Sequence, residues 1–453
     1  MNTNMRIITL LIAASLFSNF LIAQDKFPIL DQRERATLVD DILEDRIDNL
    51  LPKLMEREGF DMWILISREY NEDPVMKTML PSTWLSARRR TIMVFNKNAD
   101  GSLDKIAIAR YSVGKLLKGE WNIDVYPDQW EALVNIIAEK NPKKIGLNYS
   151  KDFALADGLV KTEYDEFYNK LPRRFRNKLY SAENLAISWL ETRTEKELEL
   201  YPMLCKMGHD ILQEAFSEKV ITAGVTTSDD VIWWLRNRVT ELGLSTWFHP
   251  SVSIQRSDTS NNEFLRSFSK RSQDDVIQFG DLLHVDFGIT YLRLNTDQQQ
   301  HFYMLKPQEI EVPSGLQAAF KNGNRLQDIL VDQFKEGLSG NQILAAALKQ
   351  ASSENIQASI YTHPIGSHGH AAGPTIGLWD QQGGVKGKGE YPLKPNTAYS
   401  IELFAASEVE EWGKIVRIML EEDGVFDGKK FYFLDGRAEK IYSIPRNKVS
   451  GSY

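Results

Sequence analysis

Gly280-Asp-Leu-Leu-His-Val-Asp-Phe-Gly288, running on to Leu294-Asn-Thr-Asp-Gln298, is the stretch on which the reading of the fold turns. Leu282, Leu283, Val285 and Phe287 surround Asp286 in an apolar run that reads as a strand stopped by Gly288. Asp297 follows eleven positions after Asp286. A strand, a turn near Thr290 to Arg293 and a returning strand bring the two carboxylates to one end of a hairpin. A carboxylate in an apolar strand is costly to bury unless a cation or a metal offsets its charge. One such aspartate is ordinarily a turn former or a surface residue. Two of them, one flanked by Val285 and Phe287, raise the metal reading without deciding it.

Further residues of the same chemistry lie downstream. Thr362-His-Pro-Ile-Gly-Ser-His-Gly-His370 holds three of the seven histidines in the chain. In Tyr399-Ser-Ile-Glu-Leu-Phe-Ala405, Glu402 interrupts another apolar strand, and Ile415-Val-Arg-Ile-Met-Leu-Glu-Glu-Asp423 reads as a strand ending in acid. Two aspartates, a histidine and two glutamates make a hard, oxygen-rich ligand set with one imidazole. Such a set suits two divalent ions sharing carboxylates (Mn, Fe, Co or Zn) rather than a thiolate metal.

The order and spacing of these residues resemble the pita-bread metallopeptidases, the family of methionine aminopeptidase, Xaa-Pro aminopeptidase and prolidase. The family pattern has an Asp with a Gly two positions on and a second Asp eleven positions after the first. It then has a His, with a Gly three and a second His seven positions later, and two Glu on late strands. Asp286 with Gly288, Asp297, His363 with Gly366 and His370, and Glu402 in Ser-Ile-Glu match it. The last ligand departs from the pattern, because Val416-Arg-Ile aligned directly puts Met419 at the Glu position. Alternation places Arg417, Met419 and Glu421 on one strand face, so a shift of two residues presents Glu421 there, with Glu422 as the alternative. That both are ordinary strand-end acids is a competing reading. Two further departures are Gln298, Gln299, Gln300 and His301 after the second Asp, where relatives often carry Thr and Arg, and Ala371 and Ala372 where many carry an acid.

The resemblance implies an α+β chain, with a C-terminal pita-bread domain over 186–453 preceded by a smaller creatinase/prolidase-like α/β domain over 25–185. It implies metal ligation by Asp286, Asp297, His363, Glu402 and Glu421, with two divalent ions, Mn first and Zn, Co or Fe as alternatives. It also implies hydrolysis of the N-terminal bond of Xaa-Pro peptides by a water shared between the ions, Glu402 moving the proton and His370 steadying the oxyanion. Aminopeptidase and dipeptidase types stay open, and a homodimer is implied. Relatives place a substrate-binding His shortly before the first Asp, around Ser267 to Ser269, where this chain has none. His249, in Trp247-Phe-His-Pro-Ser251, either replaces it or is a plain structural histidine, and His368 either meets substrate or packs. The competing function is a degenerate, non-catalytic pita-bread peptide-binding protein, which Met419, Ala371 and Gln299 favour. A metal-free creatinase-like hydrolase is disfavoured by the carboxylates at Asp286, Asp297 and Glu402.

Composition narrows the remaining choices. A chain of 453 residues that is 42% hydrophobic supports two or three domains with full cores. A net charge of −8 without a long basic block disfavours nucleic acid as a partner. The single cysteine, Cys205, excludes an intramolecular disulfide and a Cys-based zinc cluster. Residues 1–24, with Arg6 ahead of an apolar run from Ile7 to Ala23, read as a cleaved signal peptide. The mature protein is then secreted or periplasmic, with no stable membrane insertion. In the first domain a helix over Arg46–Met55, strands at 61–67, 90–95, 105–110 and 144–148 and a helix near 130–140 give the α/β pattern.

Overall fold

The computed structural model describes residues 29–257 and 276–445. The leader at 1–24, the zone around Ser267 to Ser269 and the tail residues Arg446 and Lys448 lie outside them. Among the described residues no helix is long and apolar enough to cross a membrane.

The N-terminal part is built on one six-stranded sheet of order β4-β3-β2-β1-β5-β6. Its strands are β1 (Met62–Arg68), β2 (Arg90–Lys97), β3 (Leu103–Ala107), β4 (Lys118–Gly119), β5 (Ile145–Leu147) and β6 (Leu179–Ser181). Central β1 is apolar on both faces because both are covered. Trp63 and Leu65 pack under helices α1 (Gln32–Asp45), α2 (Leu51–Arg57), α3 (Pro74–Met79) and α7 (Glu183–Glu191). Met62, Ile64 and Ile66 pack under α4 (Gln129–Lys140), α5 (Lys161–Lys170) and the short α6 (Arg173–Arg176). The first helix begins well before the expected Arg46, since Asp31 and Glu34 form a capping box that starts it at Gln32. A π turn over Arg46–Leu50 then hands the chain to α2.

That π turn buries Arg46 against the link between the two parts. Its guanidinium donates to Thr192 O at 2.9 Å, to Trp189 O, and to Glu197 Oε2 at 2.6 Å. Arg193 reaches the other oxygen of Glu197 at 2.8 Å. Glu197 also closes the capping box with Thr194 that starts the long helix α8 (Glu195–Ala215). Helix α9 (Ser228–Glu241) follows, capped by Thr227 with Asp230.

Three sheets make up the rest. One has the order β19-β11-β8-β7, from β7 (Ser251–Gln255), β8 (Leu282–Phe287), β11 (Gln298–Met304) and β19 (Tyr442–Ile444). A small hairpin of β9 (Thr290–Tyr291) and β10 (Leu294–Asn295) joins β8 to β11. The second sheet is β12-β15-β16, from β12 (Gln357–Ile360), β15 (Leu403–Val409) and β16 (Lys414–Leu420). The third is β13-β14-β17-β18, from β13 (His363–Pro364), β14 (Thr397–Ser400), β17 (Asp423–Phe426) and β18 (Phe431–Phe433). Helices α10 (Ser314–Val331) and α11 (Gly340–Ser353) share a core with the second of these sheets. The stretches 399–405 and 415–423, each expected as one strand, are two strands apiece. The breaks fall at Ile401-Glu402, where the chain passes from the third sheet to the second, and at Glu421-Glu422, where it passes from the second to the third. β12 makes the same passage into β13 at Tyr361-Thr362.

Glu197 is the shared anion of two buried arginines, and removing one member of a buried ion network costs about 3–5 kcal/mol. Glu197→Ala is expected to lower the unfolding free energy by about that amount, measured by denaturant titration followed by circular dichroism.

Candidate metal centre

β8 and β11 run antiparallel, with Gln299 opposite Asp286 and His301 opposite His284. Strand alternation therefore puts His284, Asp286, Asp297, Gln299 and His301 on one face. The other face carries Leu283, Val285, Phe287 and Phe302 into an apolar core. Gly288 is required here, since a Cβ on it would stand 2.2 Å from Thr296 O where the chain returns. At the tip of the intervening hairpin Leu292 and Arg293 take positive φ values of 51° and 64°, and Arg293 Nη1 donates to Leu80 O at 2.6 Å.

The two glutamates arrive from the passages between sheets. Glu421 pairs with Gln299 across an isolated bridge, and Tyr361 N–H bonds Glu402 O at 3.1 Å. His363 opens β13, and its Nε2 lies 3.5 Å from Glu421 Oε1, 3.6 Å from Asp297 Oδ2 and 4.0 Å from Glu402 Oε2. Its Nδ1 is 3.0 Å from Pro364 O, which can only accept. In the neutral ring the proton therefore sits on Nδ1, and Nε2 turns its lone pair to the acids.

The electrostatics of the cluster are unfavourable as they stand. Burial, then the Glu421 charge, holds the carboxyls of Asp286, Asp297 and Glu402 well above the ordinary range. Asp286 Oδ1, Asp297 Oδ1 and His363 Nε2 are buried without a hydrogen-bond partner. Asp297, His363 and Glu421 can each offer one atom within 4.8 Å of the others. Buried carboxylate and imidazole acceptors grouped this closely, several of them unpartnered, are what a divalent cation requires, so the residues fit such an ion.

Glu421 and Glu422 part company at the strand break. Glu421 faces the cluster, with Oε1 accepting from Ser400 Oγ at 2.8 Å. Glu422 faces away, 2.7 Å from His209 Nε2 and bonded by Ala438 N–H. Asp423 lies behind Asp297 and accepts its backbone N–H at 2.9 Å. Met419, the residue a direct alignment puts at the ligand position, uses its N–H to bond His301 Nε2 at 3.0 Å.

The remaining sequence candidates separate. His370 sits at an exposed edge, with its ring 4.7 Å from that of His363 and nearly perpendicular to it. His249 stacks edge-on with Trp233 and lies 3.0 Å from Arg236, both on α9. His368 lines a cavity of about 430 Å³ with Lys77, Trp84 and Arg293, and burial pushes its pKa down to about 4. Two participants were not among the site residues read from the sequence, where Gln299 counted only as a departure from the family pattern. Gln299 bonds both glutamates. Trp247 stacks edge-on to His370 at 5.1 Å and donates its indole N–H to Thr296 O at 2.9 Å. The signal for Trp247 was Gly369, wedged between histidines: a Cβ there would stand 2.3 Å from the indole ring.

Residues 203–425 match metallopeptidase family M24. The C-terminal domain belongs to that family. No curated protein matches the chain by sequence. Among solved structures the M24 chain is similar to the X-Pro aminopeptidase from Thermotoga maritima MSB8, at 16% identity and a TM-score of 0.60, over 86% of this chain and 99% of that one. It is similar to the Xaa-Pro dipeptidase from Bacillus anthracis, at 14% identity and a TM-score of 0.59, over 91% and 100%. The N-terminal domain of FACT complex subunit SPT16 from Cicer arietinum is similar too, at 12% identity and a TM-score of 0.52, over 90% and 97%. At such identities the likeness establishes the fold, including its N-terminal part. It does not establish the activity.

Two outcomes are expected from this geometry. Burial would lower the His209 pKa, but Glu422 and Asp435 overrule it and hold it up at about 10. A raised folded-state value means that this stabilisation is complete below the unfolded value near 6.5 and lost as pH rises through about 10. His209→Gln is expected to cost about 2 kcal/mol at pH 6 and little at pH 10, read from denaturant midpoints at the two pH values. Gly369→Ala is expected to displace Trp247, with changed indole fluorescence and a loss of about 1–3 kcal/mol in stability.

Proposed function

We propose that this chain is a proline-directed metallopeptidase that cleaves the N-terminal peptide bond of Xaa-Pro peptides. The observation that carries the reading is the buried group of Asp297, His363 and Glu421, each able to offer one ligand atom within 4.8 Å of the others, with His363 Nε2, Asp297 Oδ1 and the neighbouring Asp286 Oδ1 left without a hydrogen-bond partner. Asp286, Asp297, His363, Glu402 and Glu421 would hold up to two divalent ions, Mn before Zn, Co or Fe. Bound ions would supply Lewis acidity and a water acidified towards neutral pH.

The chain's own groups do the rest. Glu402, whose Oε2 faces His363 while Oε1 is held by Gln299, takes the proton from the attacking water and passes it to the leaving amine. His370, at the exposed edge of the cluster, donates an N–H to the oxygen of the scissile carbonyl. Trp247 fixes the edge against which His370 rests. His368 and the cavity it lines accept part of the peptide, whereas His249 serves α9 rather than substrate. Similarity to an X-Pro aminopeptidase and an Xaa-Pro dipeptidase supports the choice of substrate class. Export rests on residues 1–24, and a homodimer on the resemblance alone.

A second reading, a peptide-binding protein without catalysis, is favoured by the neutral Gln299 amide among the acids and by Met419 in β16. Metal-stripped mature protein, resupplied with Mn or Zn, decides between them on Ala-Pro, Ala-Pro-Ala and Met-Ala-Ser. Cleavage of the proline peptides alone, abolished in Asp286→Ala and Glu402→Gln with the fold intact by circular dichroism, is the expected result. Tight peptide binding without turnover under either metal would establish the second reading.

A further inference from the structure

Gln299 stands between the two glutamates and is almost completely buried. Its Nε2 donates to Glu402 Oε1 at 2.7 Å and to Glu421 Oε2 at 2.8 Å. Its Oε1 accepts from His284 Nε2 at 2.8 Å. Turned over, the amide would set its oxygen against two carboxylates, so the donors must face the acids. His284 keeps it that way. The imidazole is buried, lies against His301 with ring centres 5.1 Å apart, and has its other nitrogen 3.3 Å from Ser253 Oγ. The backbone adds a further tie, Gln299 N–H to Glu421 O at 3.0 Å.

This arrangement decides which oxygen each glutamate shows to His363. Glu402 shows Oε2 and Glu421 shows Oε1, while the amide holds the opposite oxygen of each. Asp286 is the residue directly across the ladder from Gln299, so the amide stands on the Asp286 side of the glutamates. An ion at Asp297, His363 and Glu421 finds its ligand atoms within 4.8 Å of one another, and the Ser400 hydroxyl on Glu421 Oε1 can rotate to Asp297 O, 3.4 Å away, to free that oxygen. An ion at Asp286 that needs Glu421 as a bridge meets an N–H donor on the bridging oxygen.

We infer that Gln299 divides the centre into a preformed position at Asp297, His363 and Glu421 and a guarded position at Asp286. A second ion takes the guarded position only by displacing the amide from Glu421 Oε2. The inference rests on the metal reading above and makes Gln299 a positioning residue that sets metal stoichiometry.

Calorimetric titration of metal-stripped protein with Mn, without any peptide, tests it. The wild type is expected to bind one ion tightly and a second at least about tenfold more weakly, the factor that losing one charge-assisted hydrogen bond brings. Gln299→Met keeps the length of the side chain and removes the donors. It is expected to tighten the second ion about tenfold and leave the first unchanged. His284→Phe, which frees the amide oxygen, is expected to shift the second ion the same way by less, and serves if Gln299→Met does not fold. Two ions bound by wild type and variants with the same pair of affinities would overturn the role of Gln299 and leave the metal reading standing. No binding by any of them would overturn both.

Discussion

The constraint that organises this molecule is the burial of like charges. Burial, and then the charge of Glu421, raises the proton affinity of Asp286, Asp297 and Glu402, and Asp423 lies just behind Asp297. The partners supplied to them are mostly neutral: the Ser400 hydroxyl, the Gln299 amide and backbone N–H groups. Isolated carboxylates in such a place would protonate or unfold the site. The surroundings must therefore be stiff enough to hold them together. Three strands that change sheets at one level, at 361–362, 401–402 and 421–422, provide that stiffness, because both flanking segments of each are locked in separate ladders.

Much of this was legible in the chain. Asp286 and Asp297 announce themselves because acid in an apolar strand is costly, and an eleven-residue spacing suits a strand, a tight hairpin and a return. Glu402 was readable for the same reason, and His363 from its spacing to Gly366 and His370, which matches the family pattern. The choice of Glu421 followed from alternation along the strand, and the structure sets it against His363 while Glu422 pairs with His209. What could not be read were the events that depend on tertiary context. A strand that changes sheets has the same local pattern as one that does not, so two breaks went unseen. Capping by Asp31 extended a helix whose apolar period is weak in its first turns. Gln299 looked like a loss of a family residue, since nothing local says that an amide will meet two carboxylates and an imidazole.

Likeness of fold does not by itself fix the chemistry. A proline-directed aminopeptidase and a subunit of the FACT complex share the architecture at comparable, low identity. Whatever distinguishes such proteins lies in a handful of side chains facing the seam. In this chain those are the proposed ligands Asp286, Asp297, His363, Glu402 and Glu421, together with the Gln299 amide and a tryptophan braced between two glycines.

The hairpin that links the two aspartates carries a further consequence. Its tip holds two bulky residues in left-handed backbone geometry, a conformation that costs energy unless the surroundings impose it. What imposes it here includes the carbonyl of Leu80, and Leu292 and Leu294 share a cavity wall with Val39, Ile42 and Leu43. The first part of the chain is thus a mould for the loop that spaces the acids. Cut away, it would leave an oily, strained loop facing water and two aspartates without a fixed separation. Residues 203–425 are the stretch that matches the family, but part of the wall that shapes their hairpin comes from residues outside it.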